Sequence, residues 1–508
     1  MVKKRFNNSI CKSRMTFAQC QLAIIKENIE TNKNEQAIEK YTDEIKEIIQ
    51  ILEDFLRRKK LICYGGTAIN NILPKEAQFY KDSTDIPDYD FYTTEPMEDA
   101  IELANIYHSL GFDNVEAKSG VHFGTFKVSV QFIQIADLTL LTKDLFDALE
   151  KESIEISGIK YASPLFLRMN CYLELSRPMG DITRWEKVAS RLKLVEKYYP
   201  IKMQKCKNIH YLQQPTHIKD KQILEYIFEN VGDTMVRQGA VFFGGLVAYL
   251  MNGEYQDNDK RQNIMYRPDF DVLTEDIDKL ATMIKSNLEN GQFGNAEIKN
   301  KIKKVEVVFQ KSKTEILPDH NIIIVDGEVV ARIFKTIACH NYNEYRIGGN
   351  KINVATIDTI LYFFLAFYFL EDSKDARIRI LCLCAYLLKL EHKDKLSNEG
   401  LFKRYGNKCL GKQDNLIDIL ISKQENYERL KKKMDSYEFK MRFLKYNPLK
   451  KENEKKEKAM TQKIKQETQS QKTQSKKKIQ SQKKTQQKKT KNAKKKKTKI
   501  EDGFEFKW

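Results

Sequence analysis

The stretch from Leu61 to Phe91, LICYGGTAINNILPKEAQFYKDSTDIPDYDF, leaves this chain few folds to choose from. An apolar run, Leu61 to Tyr64, stops at Gly65-Gly66-Thr67; a helix-compatible segment comes next, and Asp88-Tyr89-Asp90 opens the next apolar stretch. Strand, glycine pair, helix and acidic strand in that order suggest a metal-dependent nucleotide site. Residues two apart in a strand share a face, so Asp88 and Asp90 point one way while Tyr89 and Phe91 point the other. Two carboxylates side by side repel unless a cation lies between them. Glycines ahead of a helix let the backbone approach phosphate oxygens closely, and the helix N-terminus favours their charge. The two halves suit one ligand, a metal-chelated nucleoside triphosphate. A solvated turn rich in Asp and Pro would read the same way, so a third acid is needed.

Residues 126–140, FKVSVQFIQIADLTL, supply it on what reads as one long strand. Phe126, Val128, Val130, Phe132, Ala136 and Leu138 make an apolar face, interrupted only by Gln134. The other face carries Lys127, Ser129, Gln131, Asp137 and Thr139, with Ile133 and Ile135 between them. Asp137 therefore sits among apolar neighbours, where a solitary carboxylate is costly and a bound metal would offset the cost.

The Gly65-Gly66, Asp88-x-Asp90 and Asp137 constellation resembles the polymerase-beta-like nucleotidyltransferases. Within them it is most similar to the poly(A) polymerase catalytic subunits of large cytoplasmic DNA viruses, the giant-virus enzymes in particular. Residues 163–192, SPLFLRMNCYLELSRPMGDITRWEKVASRL, look like a segment of those enzymes, and the likeness runs over roughly residues 10–445. The resemblance implies an enzyme that adds AMP from ATP to the 3′ end of viral mRNA without a template. It implies two Mg²⁺ or Mn²⁺ ions on Asp88, Asp90 and Asp137, and phosphates oriented by Gly65, Gly66 and Thr67. Arg184 or Lys187 would reach the triphosphate or the RNA backbone; Asn170 and Arg168 are candidates for ribose or phosphate. Expected partners are the RNA 3′ end and ATP, with a homodimer or a separate processivity or capping subunit as further options. The host cytoplasm and the virion are the expected locations. The acid triad also serves tRNA-type and oligoadenylate-type nucleotidyltransferases, and a non-catalytic RNA-binding scaffold of this shape is the alternative of a different class.

The leading pattern recurs. Residues 239–275 again give an apolar strand, Gly244-Gly245, a helix-like segment and Asp269-Phe270-Asp271. From the second glycine to the first Asp there are 22 residues in one copy and 24 in the other, as expected for an internal repeat. The second copy has Leu246 where the first has Thr67, and no Asp comparable to Asp137 comes after Asp271. Glu306 is the candidate substitute, and Asp326 in IVDGEVV reads as a hairpin-turn residue. Two carboxylates without a third hold two metals poorly, so the second copy reads as degenerate, serving RNA binding, scaffolding or dimerisation.

The fold class expected is α/β (α+β): two tandem nucleotidyltransferase-like mixed-sheet domains, helical segments and a disordered basic tail. The boundaries are 1–60 (N-terminal helices), 61–150 (catalytic core), 151–215 (helices completing it), 216–350 (second domain), 351–448 (C-terminal helices) and 449–508 (tail). The net charge of +18 is local: residues 450–500 carry 21 Lys against 4 Glu, whereas residues 1–449 net only +3. Non-specific attraction to nucleic acid is thereby concentrated in a segment too polar to fold. Nine scattered cysteines without a CxxC pair favour a reducing compartment over secretion. The most apolar segment, Ile357–Leu370, is broken by Asp358 and too short to span a bilayer; its aromatics are read as core or subunit interface.

Overall fold

The computed structural model describes residues 10–11, 15–40, 43–80, 87–202, 217–244, 247, 270–290, 296–347, 349–394 and 403–449. Met1–Tyr446 make one compact unit that holds both sheets and their helices. The Lys-rich tail beyond residue 449 and the second-copy residues Gly245, Leu246 and Asp269 lie outside the described residues.

Helices α1 (Phe17–Lys40) and α2 (Asp43–Lys59) lead into β1 (Ile62–Tyr64), α3 (Gly65–Ile72), β2 (Tyr89–Thr93) and α4 (Pro96–Ser109). Then come β3 (Glu116–Ser119), β4 (Thr125–Val130), β5 (Ile133–Leu140), α5 (Lys143–Glu152), β6 (Ile154–Ile156) and β7 (Ile159–Tyr161). Helices α6 (Pro164–Leu175) and α7 (Trp185–Tyr198) close this first half. The stripe Ile45, Ile48, Ile49, Leu52, Phe55 and Leu56 of α2 is wholly buried, as three- and four-residue spacing dictates. Pro164 opens α6, and Ser163 caps it by accepting from the Phe166 amide.

The second half holds β8 (Val241–Phe242), β9 (Phe270–Thr274), β10 (Val305–Gln310), β11 (His320–Val325), β12 (Glu328–Lys335), β13 (His340–Ile347) and β14 (Asn350–Ala355). The first sheet runs β3-β4-β5-β2-β1-β7-β6 and the second β10-β11-β12-β9-β8-β14-β13, the same order in space for the same order in sequence. Directions match as well: β2/β5 and β1/β7 are parallel in one, β9/β12 and β8/β14 in the other. The eighth strands break the symmetry. β15 (Cys409–Leu410) adds to β13, whereas β16 (Lys445–Tyr446) adds to β3, at the opposite edge of the repeated unit. The helix Ile357–Leu370 joins the two halves: Phe363 stacks on Phe243 after β8 at 4.5 Å, and Phe369 meets Phe166 of α6 edge-on at 5.2 Å. Among the described residues no helix is long and apolar enough to cross a membrane.

Two expectations need correcting. Residues 126–140 are not one strand but the β4–β5 hairpin, turned at Gln131 and Phe132 with φ of +50° and +67°. The pair lacks the glycine or asparagine that usually marks such a turn, and both strands bury one face, so the alternation carries straight through it. The cysteines also do more than stay reduced, since Cys11 bonds Cys20 and Cys339 bonds Cys409. The latter pair, 70 residues apart, is brought together by β13–β15 pairing, which spacing along the chain cannot reveal.

Candidate active site

Strand pairing gathers the acidic residues. β1 runs antiparallel to β2 with Tyr64 opposite Asp90, and β2 runs parallel to β5 with Asp90 opposite Asp137. The end of β1, the start of β2 and Asp137 therefore meet at one end of the first sheet. Gly65 begins α3 at φ +73°, and a Cβ there would come within 2.3 Å of Asp90 Oδ2. Only glycine lets the backbone turn in the left-handed region while lying against that carboxylate. No side chain caps the N-terminus of α3, so its first amides are not taken by a cap. The buried Thr67 hydroxyl donates to the Asp88 carbonyl at 2.7 Å: it ties α3 to the aspartate-bearing strand rather than facing a phosphate. Further along α3, the Asn70 Oδ1 accepts from the amides of Phe79 and Tyr80 at 2.8 and 2.9 Å, fixing that corner beside the glycines.

The charges are strongly coupled. Burial, then Asp88 and Asp137, push the Asp90 carboxyl up to about 7, and burial with Asp137 also raises Asp88. Two residues not singled out as site residues from sequence moderate this repulsion. Lys127 on β4, opposite Asp137, places its ammonium 2.9 and 3.2 Å from the Asp137 oxygens and 3.0 Å from Gln134 Oε1. Gln134 donates to Asp137 Oδ1 at 2.8 Å and also bonds Asp88. Its position comes from a β-bulge: Val128 pairs with Ala136 but Ser129 with Gln134, so Ile135 is extra and Gln134 swings onto the face of Asp137. The glutamine that interrupts the apolar alternation is the mark of that bulge.

A cationic row on and beside α7 faces the acids. A Cβ on Gly66 would lie 2.7 Å from Arg191 Nη1 and 2.7 Å from Tyr80 Oη, and Arg191 donates to that hydroxyl at 2.6 Å. Lys187 interacts with Asp88, and its ammonium is pulled below its ordinary range first by Arg191, then by burial and Arg184. Arg184 lies within the field of Asp90, is more than half exposed, and pairs with Glu174 at 3.5 Å. Asn170 stands one layer back, donating to Tyr92 Oη at 3.3 Å, and Tyr92 in turn stacks on Tyr64 at 3.8 Å. Arg168 does not reach the site. It is fully buried and donates to the carbonyls of Val195 and Tyr199, bracing α6 against α7.

Three aspartates offer the hard oxygen donors that suit Mg²⁺ or Mn²⁺. Among the described residues, no three acidic, His or Cys side chains are gathered tightly enough to grip an ion as they stand. A cationic group nevertheless already lies against Asp137, so the donor chemistry fits a divalent ion, with Lys127 in competition for it.

The second copy differs at this point. A Cβ on Gly244 would meet Asp271 Oδ2 at 2.6 Å, repeating the contact of Gly65 with Asp90. Opposite Asp271 in the parallel β9–β12 register stands Arg332, where the first copy has Asp137. Its guanidinium holds both oxygens of the buried Asp271, at 2.6 and 3.0 Å. Glu306 is no substitute for a third acid: it lies on β10, three strands from β9 in the sheet, and pairs with Lys304. Asp326 and Gly327 do form the β11–β12 turn, both with positive φ.

Residues 50–181 match the family model of the poly(A) polymerase catalytic subunit. The chain is 30% identical over 173 residues to the candidate poly(A) polymerase catalytic subunit of African swine fever virus (strain Badajoz 1971 Vero-adapted), covering 33% of this chain and 36% of that one. It is 31% identical over 174 residues to the corresponding candidate subunit of Acanthamoeba polyphaga mimivirus, covering 33% and 29%. The matched stretch thus spans about a third of the length of these curated relatives. The crystal structure of the Megavirus polyadenylate synthase superposes with a TM-score of 0.69 over 87% of this chain and 88% of that one, at 18% identity. The fold is therefore shared over nearly the whole length, and the span matched by the family model, residues 50–181, includes the three aspartates.

Proposed function

We propose that the chain is a template-independent polynucleotide adenylyltransferase, adding AMP from ATP to RNA 3′ ends to build poly(A). The observation that carries this reading is the register of Asp90 against Asp137, with Asp88 linked to Asp137 through Gln134 and the uncapped start of α3 alongside. Asp88 and Asp90 would hold a nucleotide-bound divalent ion, and Asp137 would complete a second ion site on the primer side. Ions held by these three carboxylates would supply activation of the 3′-hydroxyl and neutralisation of the departing pyrophosphate. The chain's own residues do the rest. Gly65 and Gly66 bring backbone amides close to the triphosphate, while Lys187, Arg184 and Arg191 balance its charge. Asn170 and Tyr92 brace Tyr64, which lies opposite Asp90.

Residues 61–150, completed by 151–215, are the catalytic unit in this reading. Residues 216–350 are a relative that has exchanged a metal ligand for Arg332, and residues 450–508 retain RNA by charge. The similarity of residues 50–181 to viral poly(A) polymerase catalytic subunits supports AMP addition over tRNA-type or oligoadenylate-type chemistry.

The test is extension of a short labelled RNA by the purified full chain with Mg²⁺ or Mn²⁺, each nucleotide supplied separately, beside Asp88→Ala/Asp90→Ala. Long products with ATP alone, lost in the variant, are expected. Absence of extension with every nucleotide and both metals would favour the scaffold alternative. Extension surviving in the variant would remove the first copy from catalysis.

A further inference from the structure

Asp88 and Asp90 lie on one face of the strand start, without an ion-pair partner within 4 Å among the described residues. Asp137 is different. Both its oxygens accept from Lys127, and one accepts from Gln134 as well, so the chain itself already compensates it. The candidate site is therefore asymmetric, with a cation in direct contact with Asp137 and none in contact with Asp88 or Asp90 among the described residues. The Lys127 side chain is 30% exposed and that of Asp137 is 18% exposed, so the ammonium has a path out to solvent.

The second copy compensates a different carboxylate: Arg332 stands in the place of Asp137 itself and holds Asp271, the counterpart of Asp90. There the cation is Arg332, planar and bidentate, on an aspartate with a 5% exposed side chain. An arginine fork of that kind does not leave readily, whereas a lysine on a flexible stem does. The second copy thus locks its buried aspartate with arginine, whereas the first covers Asp137 with a lysine that can be released.

We infer that Lys127 is an internal counter-ion that competes with a divalent cation for Asp137, so that the Asp88–Asp90 half fills first and the Asp137 half fills only once the ammonium has moved aside. This rests on the proposed reading of Asp137 as a metal ligand. It adds an order of loading set by a residue that is not itself a ligand. Lys127 is a positioning residue here: it keeps Asp137 in place, with Gln134, until an ion displaces it.

The experiment measures Mn²⁺ binding to the full chain without nucleotide, by loss of the free-ion electron paramagnetic resonance signal, together with the Mn²⁺-induced rise in Tm. Lys127→Met should tighten the weaker class of sites at least tenfold and enlarge the Tm rise, while Lys127→Arg should not. The gain should vanish in Lys127→Met/Asp137→Asn, because it runs through Asp137. A Lys127→Met isotherm that overlays the wild type, while Asp137→Asn alone weakens binding, would overturn the inference and leave the proposed site standing. If Asp137→Asn alone leaves Mn²⁺ binding unchanged, both fall. Circular dichroism of each variant, matching the wild type, ties any difference to the site.

Discussion

Replacing Gly65 by alanine tests whether the glycine pair exists for the carboxylate beside it. At φ +73° a Cβ costs about 1–2 kcal/mol from left-handed backbone strain. The same Cβ would stand 2.3 Å from Asp90 Oδ2, 3.1 Å from its Cγ and 3.3 Å from its Cβ, so the whole side chain must shift. Overpacking of that kind adds about 1–3 kcal/mol, for a total of roughly 2–5 kcal/mol. Gly66 is the internal control. A Cβ there meets only Arg191 Nη1 and Tyr80 Oη at 2.7 Å and Arg191 Nη2 at 2.9 Å, the far ends of side chains that can swing away. Gly66→Ala should therefore cost less than about 1 kcal/mol. Activity should separate the two as well. Moving the Asp90 carboxylate by about 1 Å should lower kcat roughly 10²-fold in Gly65→Ala, while displacing Arg191 should act mainly on the KM for ATP in Gly66→Ala. Thermal and denaturant unfolding of both variants, with AMP incorporation measured alongside, decide the matter. A Gly65→Ala protein as stable as the wild type, or a Gly66→Ala protein equally damaged, would refute the reasoning.

The same geometry sets other expectations. Because Asp90 is held near 7 against an ordinary 3.8, the stability linked to its protonation is intact below about pH 4 and lost as pH rises through 7, amounting to at most about 4 kcal/mol. In EDTA, Tm of the wild type should therefore fall relative to Asp90→Asn between pH 5 and 8; a relative rise would contradict the burial of that charge. Arg332→Met strands a buried Asp271 and should cost about 3–5 kcal/mol, most of it recovered in Asp271→Asn/Arg332→Met. A double variant no better than the single would show that the pair is not what holds β9 to β12. Deleting residues 450–508 should weaken RNA binding and flatten its dependence on salt, and an unchanged slope would remove the tail from RNA retention.

Much of the first sheet was legible because its signals are local. Glycine before a helix, aspartates two apart, and a stripe at helical spacing each declare themselves within a few residues, and the repeat does so by recurring. The misses are of another kind. The Gln131–Phe132 turn violates the usual turn chemistry, so a hairpin passed for a strand, and with it the apposition of Lys127 and Asp137 was hidden. Gln134 looked like a flaw in an apolar face, because one interruption of the alternation marks a bulge only once the pairing of β4 with β5 is known. Arg332 could be found only once β9 and β12 were known to be neighbours, because it reaches its aspartate across a parallel pair 61 residues apart. Arg191 lies one helical turn beyond Lys187, but its place beside Gly66 depends on how α7 packs over α3.

The edge strand β16 has a consequence for how the chain comes into being. The first sheet is closed at β3 by residues near the end of the compact unit: the Ser119 hydroxyl donates to the Arg442 carbonyl across 323 residues, and Lys445 pairs with Lys118. During synthesis at about 5–20 residues per second, that edge waits roughly 16–65 s for its partner while the entire second sheet is made. An open edge is an invitation to foreign strands, and β3 meets it with the sequence EAKS, only four residues long and carrying Glu116 and Lys118, paired at 2.9 Å. A nascent chain arrested before residue 437 would expose this guarded edge indefinitely, so the last residues of the unit act as the seal on a sheet begun more than three hundred residues earlier.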